Sequence, residues 1–158
     1  MTAFLVDCMK RNVPEDGQWQ TKVLESNIML GHFQVVDAIF QMDIWNQYNR
    51  QQIAARCEQK GFFQRALENF TDIKDIRRVV LNTQSLNPEW LVAYLGKIQA
   101  DWAIICLQEL LRHNRQNIQI VTNAAIQHHA KLGVPNCIKV FESASIFDGL
   151  YFFLGKNL

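Results

Sequence analysis

Along nearly its whole length the chain repeats apolar residues three and four positions apart, which stacks them on one face of a 3.6-residue turn. The clearest rows are Ile53, Ala54, Cys57; Phe63, Ala66, Leu67, Phe70; Ile73, Ile76, Val79, Val80; and Trp90, Leu91, Tyr94, Leu95, Ile98. Similar rows run through Phe4, Leu5, Cys8, Met9; Val23, Leu24, Ile28; Val36, Ile39, Phe40; and from Trp102 to Leu154. Strand-like alternation is nowhere sustained. The punctuation agrees: Asn87-Pro88-Glu89 supplies a capping side chain, a proline fit for the first helical position and an acid at the positive helix end. Asn49 with Gln52 has the spacing of a capping box, and Pro14 and Pro135 mark two further starts. The expectation is an all-α chain.

Gly31, Gly61, Gly96 and Gly133 fall 30, 35 and 37 residues apart, the size of a helix–turn–helix repeat. A partial echo supports this: Ala66, Leu67 and Phe70 after Gly61 are matched by Cys137, Ile138 and Phe141 after Gly133. We read an α-solenoid of helix hairpins, with the glycines as joints. No linker or low-complexity tract interrupts residues 1–158, so they are taken as a single stretch of repeats. Both ends are rich in apolar residues, Ala3-Phe4-Leu5-Val6 and Phe147 to Leu154, where a free-standing repeat protein needs polar caps. The expectation is a section of a longer solenoid, or a shortened relative that covers its ends with another chain.

Composition removes several classes of function. With 16 Lys+Arg against 15 Asp+Glu the net charge is +1, without the basic footprint of a nucleic-acid binder. At 49% apolar residues the chain is not disordered, and no run approaches the roughly 18 apolar residues of a membrane span. Lys10 and Arg11 follow the first apolar stretch, the reverse of a secretory signal, so a soluble intracellular chain is expected. The 15 Gln and 12 Asn spread along the length suggest polar outer faces of low charge, suited either to plain solvation or to packing beside similar chains.

Three constellations invite a chemical reading. His128-His129 are adjacent and point about 100° apart on a helix, whereas a zinc helix motif needs histidines four apart with a glutamate between. Asp72, Lys74, Asp75, Arg77 and Arg78 offer carboxylates for acid–base work or, as the commoner reading, local salt bridges. Arg112, His113 and Arg115 with Gln116 and Asn117 form a small basic-amide patch, either a phosphate grip or a capped turn. Cys8, Cys57, Cys106 and Cys137 lie 49, 49 and 31 residues apart, without a CxxC motif, and are read as reduced core thiols. No catalytic, cofactor-binding or metal site is assigned, and no enzyme activity is expected.

The order of short motifs resembles the clathrin heavy-chain family, in the helical repeats of its leg. The resemblance runs from about Phe4 to Gly155. It is carried by Leu5-Val6-Asp7 with Lys10-Arg11-Asn12, Gln20-Thr21 with Leu24-Glu25, Gln34 to Ile39, Ile53-Ala54 with Cys57-Glu58, Gln64 to Glu68, Thr71-Asp72 with Asp75-Ile76, Leu86 to Val92, Arg115 to Ile120, and Phe141-Glu142-Ser143 through to Gly155. Trp19, Trp45 and the Gly31-His32 pair depart from the usual leg pattern.

The resemblance implies an α-solenoid of short antiparallel helix hairpins, an αα-zigzag that forms a rod, in a structural protein of the coat on coated pits and vesicles, serving vesicle-mediated transport and endocytosis. Its partners would be other heavy chains, through lateral leg packing, and its location cytoplasmic and peripheral to the membrane. The family's N-terminal propeller, C-terminal hub and light-chain-binding region are not matched, so adaptor and light-chain binding are not expected. The alternative is a helical-repeat adaptor or tethering module of a vacuolar sorting-type complex.

Overall fold

The computed structural model describes residues 2–145, 151 and 153–156. Regular structure among them is helical, with no β-strand. The chain divides into two compact units, Met1–Thr71 and Asp72–Leu158. The all-α expectation holds.

The first unit carries α1 (Thr2–Cys8), a 3-10 turn (Pro14–Asp16), α2 (Gly17–Met29), α3 (Phe33–Met42), α4 (Arg50–Gln59) and α5 (Phe63–Asn69). One turn design closes both of its hairpins. After α2 the His32 N–H donates to the Asn27 carbonyl at 2.8 Å and Gly31 to Ile28 at 3.0 Å. After α4, Phe62 donates to Cys57 at 2.8 Å and Gly61 to Glu58 at 3.0 Å. Both are Schellman closures, and both glycines sit in the left-handed region, at φ of +78° and +77°, where a β-carbon is penalised. The Gly31-His32 pair, read as a departure from the family pattern, is thus a joint built like Gly61-Phe62.

Successive hairpins of this unit stack in register. The Asn49 N–H donates to Thr21 Oγ1 at 2.9 Å, and one turn further along α2 and two along α4 Arg56 meets Glu25 at 2.6 Å, so α2 and α4 run in the same direction. Phe33 lies 4.8 Å from Phe62 between ring centroids and Arg65 meets Asp37 at 2.6 Å, giving α3 and α5 the same relation. The stack closes over Leu24, Ile28, Val36, Ile53, Ala54, Cys57 and Ala66, all shut off from solvent. Each large apolar side chain so buried contributes roughly 1.5–3 kcal/mol.

The second unit holds α6 (Ile73–Val80), α7 (Pro88–Lys97), α8 (Ala100–His113), a 3-10 turn (Arg115–Asn117), α9 (Ile118–Leu132) and α10 (Val134–Ser143). As the sequence indicates, α7 begins at Pro88, and Asn87 Oδ1 accepts from Glu89 and Trp90 N–H at 2.9 and 3.1 Å. His128 reaches the Val92 carbonyl, and Lys131 reaches those of Gly96 and Ile98, so α7 and α9 also run the same way. Arg77 joins α6 to Glu109 of α8 at 2.7 Å. Leu91, Ala103, Cys106, Leu107, Leu110, Val121, Ala124, Cys137 and Phe141 form the buried core.

In each unit, polar bonds between successive repeats join residues 27 to 36 apart, close to the interval that the glycine spacing announced. Other local expectations need correction. Gly96 is not a joint but lies inside α7. Gly133 separates α9 from α10 with a different turn, bonded to His129 four residues back. Pro14 opens only a 3-10 turn, with α2 starting at Gly17. The capping box at Asn49 is half formed: Asn49 accepts from Gln52 N–H, while the Gln52 side chain turns to Glu25. Of the C-terminal aromatic stretch, Phe141 and Phe153 pack at 5.9 Å and Tyr151 is exposed, whereas Phe147, Asp148, Gly149, Leu150 and Phe152 lie outside the described residues.

Candidate interaction surface

The three constellations singled out in the sequence resolve into structural roles. Asp72 caps α6 by accepting from Lys74 N–H at 2.8 Å. Asp75 pairs with Arg78 at 2.9 Å, and Arg77 crosses to Glu109, which Arg112 also approaches at 3.4 Å. These carboxylates are spent on caps and guanidinium groups. At the second patch Asn114, passed over in the sequence, caps the 3-10 turn by accepting from Gln116 N–H at 2.9 Å. Asn117 is buried, donating to the Leu110 carbonyl at 2.9 Å and accepting from Thr83 Oγ1 at 3.2 Å, while Arg112, His113 and Arg115 stay exposed. The patch is a capped turn with a basic fringe.

His128 and His129 part company as the helical angle requires. His128 interrupts α9 at φ −115°, ψ 15°, and its Nε2 lies 2.9 Å from the Val92 carbonyl, so that nitrogen carries the proton. His129 Nδ1 turns to its own helix, 2.8 Å from the Ile126 carbonyl. Among the described residues no group of three or more His, Cys, Asp and Glu is placed to hold a metal ion.

Cys57, Cys106 and Cys137 are buried as expected. Burial pushes the Cys57 and Cys106 thiols up to about 12 and raises Cys137 as well. Cys8 is exposed and not a core thiol: α1 turns Val6 and Met9 inward and leaves Cys8 on the wall of a groove.

The amides divide into two sets. Gln20, Asn27, Asn69 and Asn117 are buried, against the expectation of outward faces. They serve polar groups freed where helices stop: Gln20 donates to Asn12 at 3.0 Å and accepts from Gln47 N–H at 3.1 Å, and Asn69 accepts from the Tyr48 hydroxyl at 2.6 Å. The remainder includes an exposed row, Gln119, Asn123 and Gln127, along α9.

Two grooves among the recesses of the described residues combine apolar and polar lining. One, about 540 Å³, lies between α1 and α2 and is walled by Leu5, Met9, Trp19 and Val23. Phe4 on α1 and Leu30 just after α2, 68% and 70% exposed, add apolar surface. The sequence carried a signal for this face, because Trp19, Val23 and Leu30 recur at helical spacing along α2 and its C-cap. The other groove, about 620 Å³, lies between α7 and α9 over Val92, Ile120 and the amide row. Among the described residues no helix is long and apolar enough to cross a membrane.

Stacked helical hairpins, with side chains committed to caps and joints, define a helical-repeat protein. A family model, clathrin, described as "Region in Clathrin and VPS", matches residues 1–119. The chain is 44% identical over 158 residues to Clathrin heavy chain 1 of Oryza sativa subsp. japonica, covering 99% of this chain and 9% of that protein. Identity is 43% over 156 residues to Clathrin heavy chain of Drosophila melanogaster, covering 98% and 9%. It is 41% over 156 residues to Clathrin heavy chain 2 of Homo sapiens, covering 98% and 10%. The chain belongs to the clathrin family. It spans about a tenth of the length of these curated relatives.

Proposed function

We propose that the chain is a structural segment of the clathrin coat, a leg element that packs laterally against other heavy chains in the lattice on coated pits and vesicles, in support of intracellular transport and endocytosis. The observation that carries this reading is the continuous similarity to clathrin heavy chains, 41–44% identical over 98–99% of this chain in rice, fly and human. The stacked hairpins fit a mechanical role, because repeats bonded each to the next transmit load along the stack. Its place is the cytoplasmic face of the membrane, held there through the coat. Residues 1–158 act as a single stretch of repeats, without adaptor or light-chain binding of their own and without catalysis. The relatives are named as clathrin heavy chains, which favours this reading over a vacuolar sorting-type adaptor or tether.

Co-sedimentation with reassembled clathrin cages tests the proposal. Saturable pelleting with cages, and none when cages are absent, is expected. A chain that stays in the supernatant at every ratio overturns it.

A further inference from the structure

The groove between α7 and α9 combines a row of amides, an apolar floor and one carboxylate. On α9, Gln119, Asn123 and Gln127 stand four residues apart, and all three are exposed and line the groove. None of the three side chains hydrogen-bonds to another described residue. Beneath them Val92 is buried and Ile120 half-buried, and Glu89 is the charged residue among those lining the groove. Four residues of helix rise about 6 Å, while two residues of an extended strand span about 6.6–6.8 Å. A strand laid along α9 therefore meets an amide at every second residue, with a drift small enough for Gln and Asn side chains to follow. A primary amide offers one acceptor and two donors, the complement of a peptide group. A helical partner has already spent its main-chain groups on itself and gains nothing from such a row.

We propose that this groove docks an extended peptide segment, its main chain read by Gln119, Asn123 and Gln127, its inward side chains apolar against Val92 and Ile120, and a lysine or arginine facing Glu89. The mode is strand-like recognition of a backbone by side-chain amides, with charge complementarity at Glu89 setting the preference for a basic ligand. It is independent of the coat reading, since the groove belongs to this chain whether or not the chain enters cages.

The test is fluorescence anisotropy with the full chain and a fluorescein-labelled hexapeptide of sequence Lys-Ser-Val-Ser-Val-Ser, whose lysine and valines share one face of an extended strand. Saturable binding is expected, weakened about tenfold or more by Gln119→Ala/Asn123→Ala/Gln127→Ala, because three modest hydrogen bonds are lost together. Glu89→Gln is expected to abolish the preference for this peptide over one with Glu in place of Lys. Main-chain N-methylation of the peptide is expected to reduce binding as the triple variant does. These positions are exposed, and circular dichroism with a urea titration verifies that the variants stay folded. Absence of binding up to about 1 mM, binding that survives both variants, or tighter binding by a helix-stapled peptide of like composition each overturns the proposal.

Discussion

Gly96 of α7 and His128 of α9 fit together as notch and key: a β-carbon at Gly96 would stand 2.6 Å from both ring nitrogens of His128. The ring is held there by Nε2 donating to the Val92 carbonyl, and α9 departs from helical geometry at that residue. Gly96→Ala in an isolated helix gains about 1 kcal/mol of propensity. Here the ring must leave, losing its hydrogen bond and its packing, at about 1–3 kcal/mol. The expected outcome is net destabilisation of about 1 kcal/mol in urea unfolding. In a His128→Ala background the sign should reverse, because the notch is then empty. Equal effects of Gly96→Ala in both backgrounds would show that the two residues are not coupled.

The thiols give a second prediction. Cys57 and Cys106 are raised by burial from 9.0 to about 12, so in the folded chain they hold their protons while the unfolded chain begins to lose them near pH 9. Their contribution to stability is complete below that pH and is lost as the pH rises towards 12. Between those limits each thiol lowers the unfolding free energy by about 1.4 kcal/mol per pH unit. Cys57→Ala and Cys106→Ala should each flatten the decline measured by urea titration above pH 9. At neutral pH a thiol reagent should label Cys8 at once, and Cys57 and Cys106 only after denaturant is added.

Much of this was legible in the sequence because helix spacing and caps are local. Asn87-Pro88 and the apolar rows report on their own turn, and the glycine interval reports on the repeat. What escaped depends on neighbours distant in the chain. Gly96 resembles the joint glycines until His128, from another helix, is seen to occupy its missing side chain. Cys8 shares the apolar spacing of Phe4, Leu5 and Met9, yet that stripe is wider than the face α1 buries, leaving Cys8 and Phe4 outside. The exposed amides of α9 and buried Gln20 are the same residue types, separated only by whether a joint packs over them.

The twin joints supply the third prediction. Gly31 and Gly61 have open space around the position of a β-carbon, so alanine at either meets no steric obstacle beyond the left-handed backbone itself. Gly31→Ala and Gly61→Ala should therefore cost similar amounts, about 1–2 kcal/mol each, and add in the double variant. Thermal or urea unfolding measures both. A cost much larger at one site than the other would mean that the two turns are not equivalent in energy despite their shared bonding.

The last prediction concerns the start of α7. Asn87 Oδ1 satisfies two N–H groups that the helix itself leaves free, those of Glu89 and Trp90, and Pro88 removes a third donor at no loss. Asn87→Ala should cost about 1 kcal/mol, within a range of about 0.5–2. Asn87→Asp keeps the acceptor and adds a negative charge at the positive end of the helix, which favours it, while Glu89 in the same first turn opposes it. The two charge effects are of similar size, so Asn87→Asp should stay within about 0.5 kcal/mol of the parent at neutral pH. Below the carboxyl's titration the aspartate loses its charge and part of its strength as an acceptor, and the variant should then fall behind the parent. Urea titrations of the parent and both variants at pH 7 and pH 3 measure the difference. If alanine proves as stable as asparagine, the bonds to Glu89 and Trp90 are not what fixes where α7 begins, and Pro88 alone sets the start.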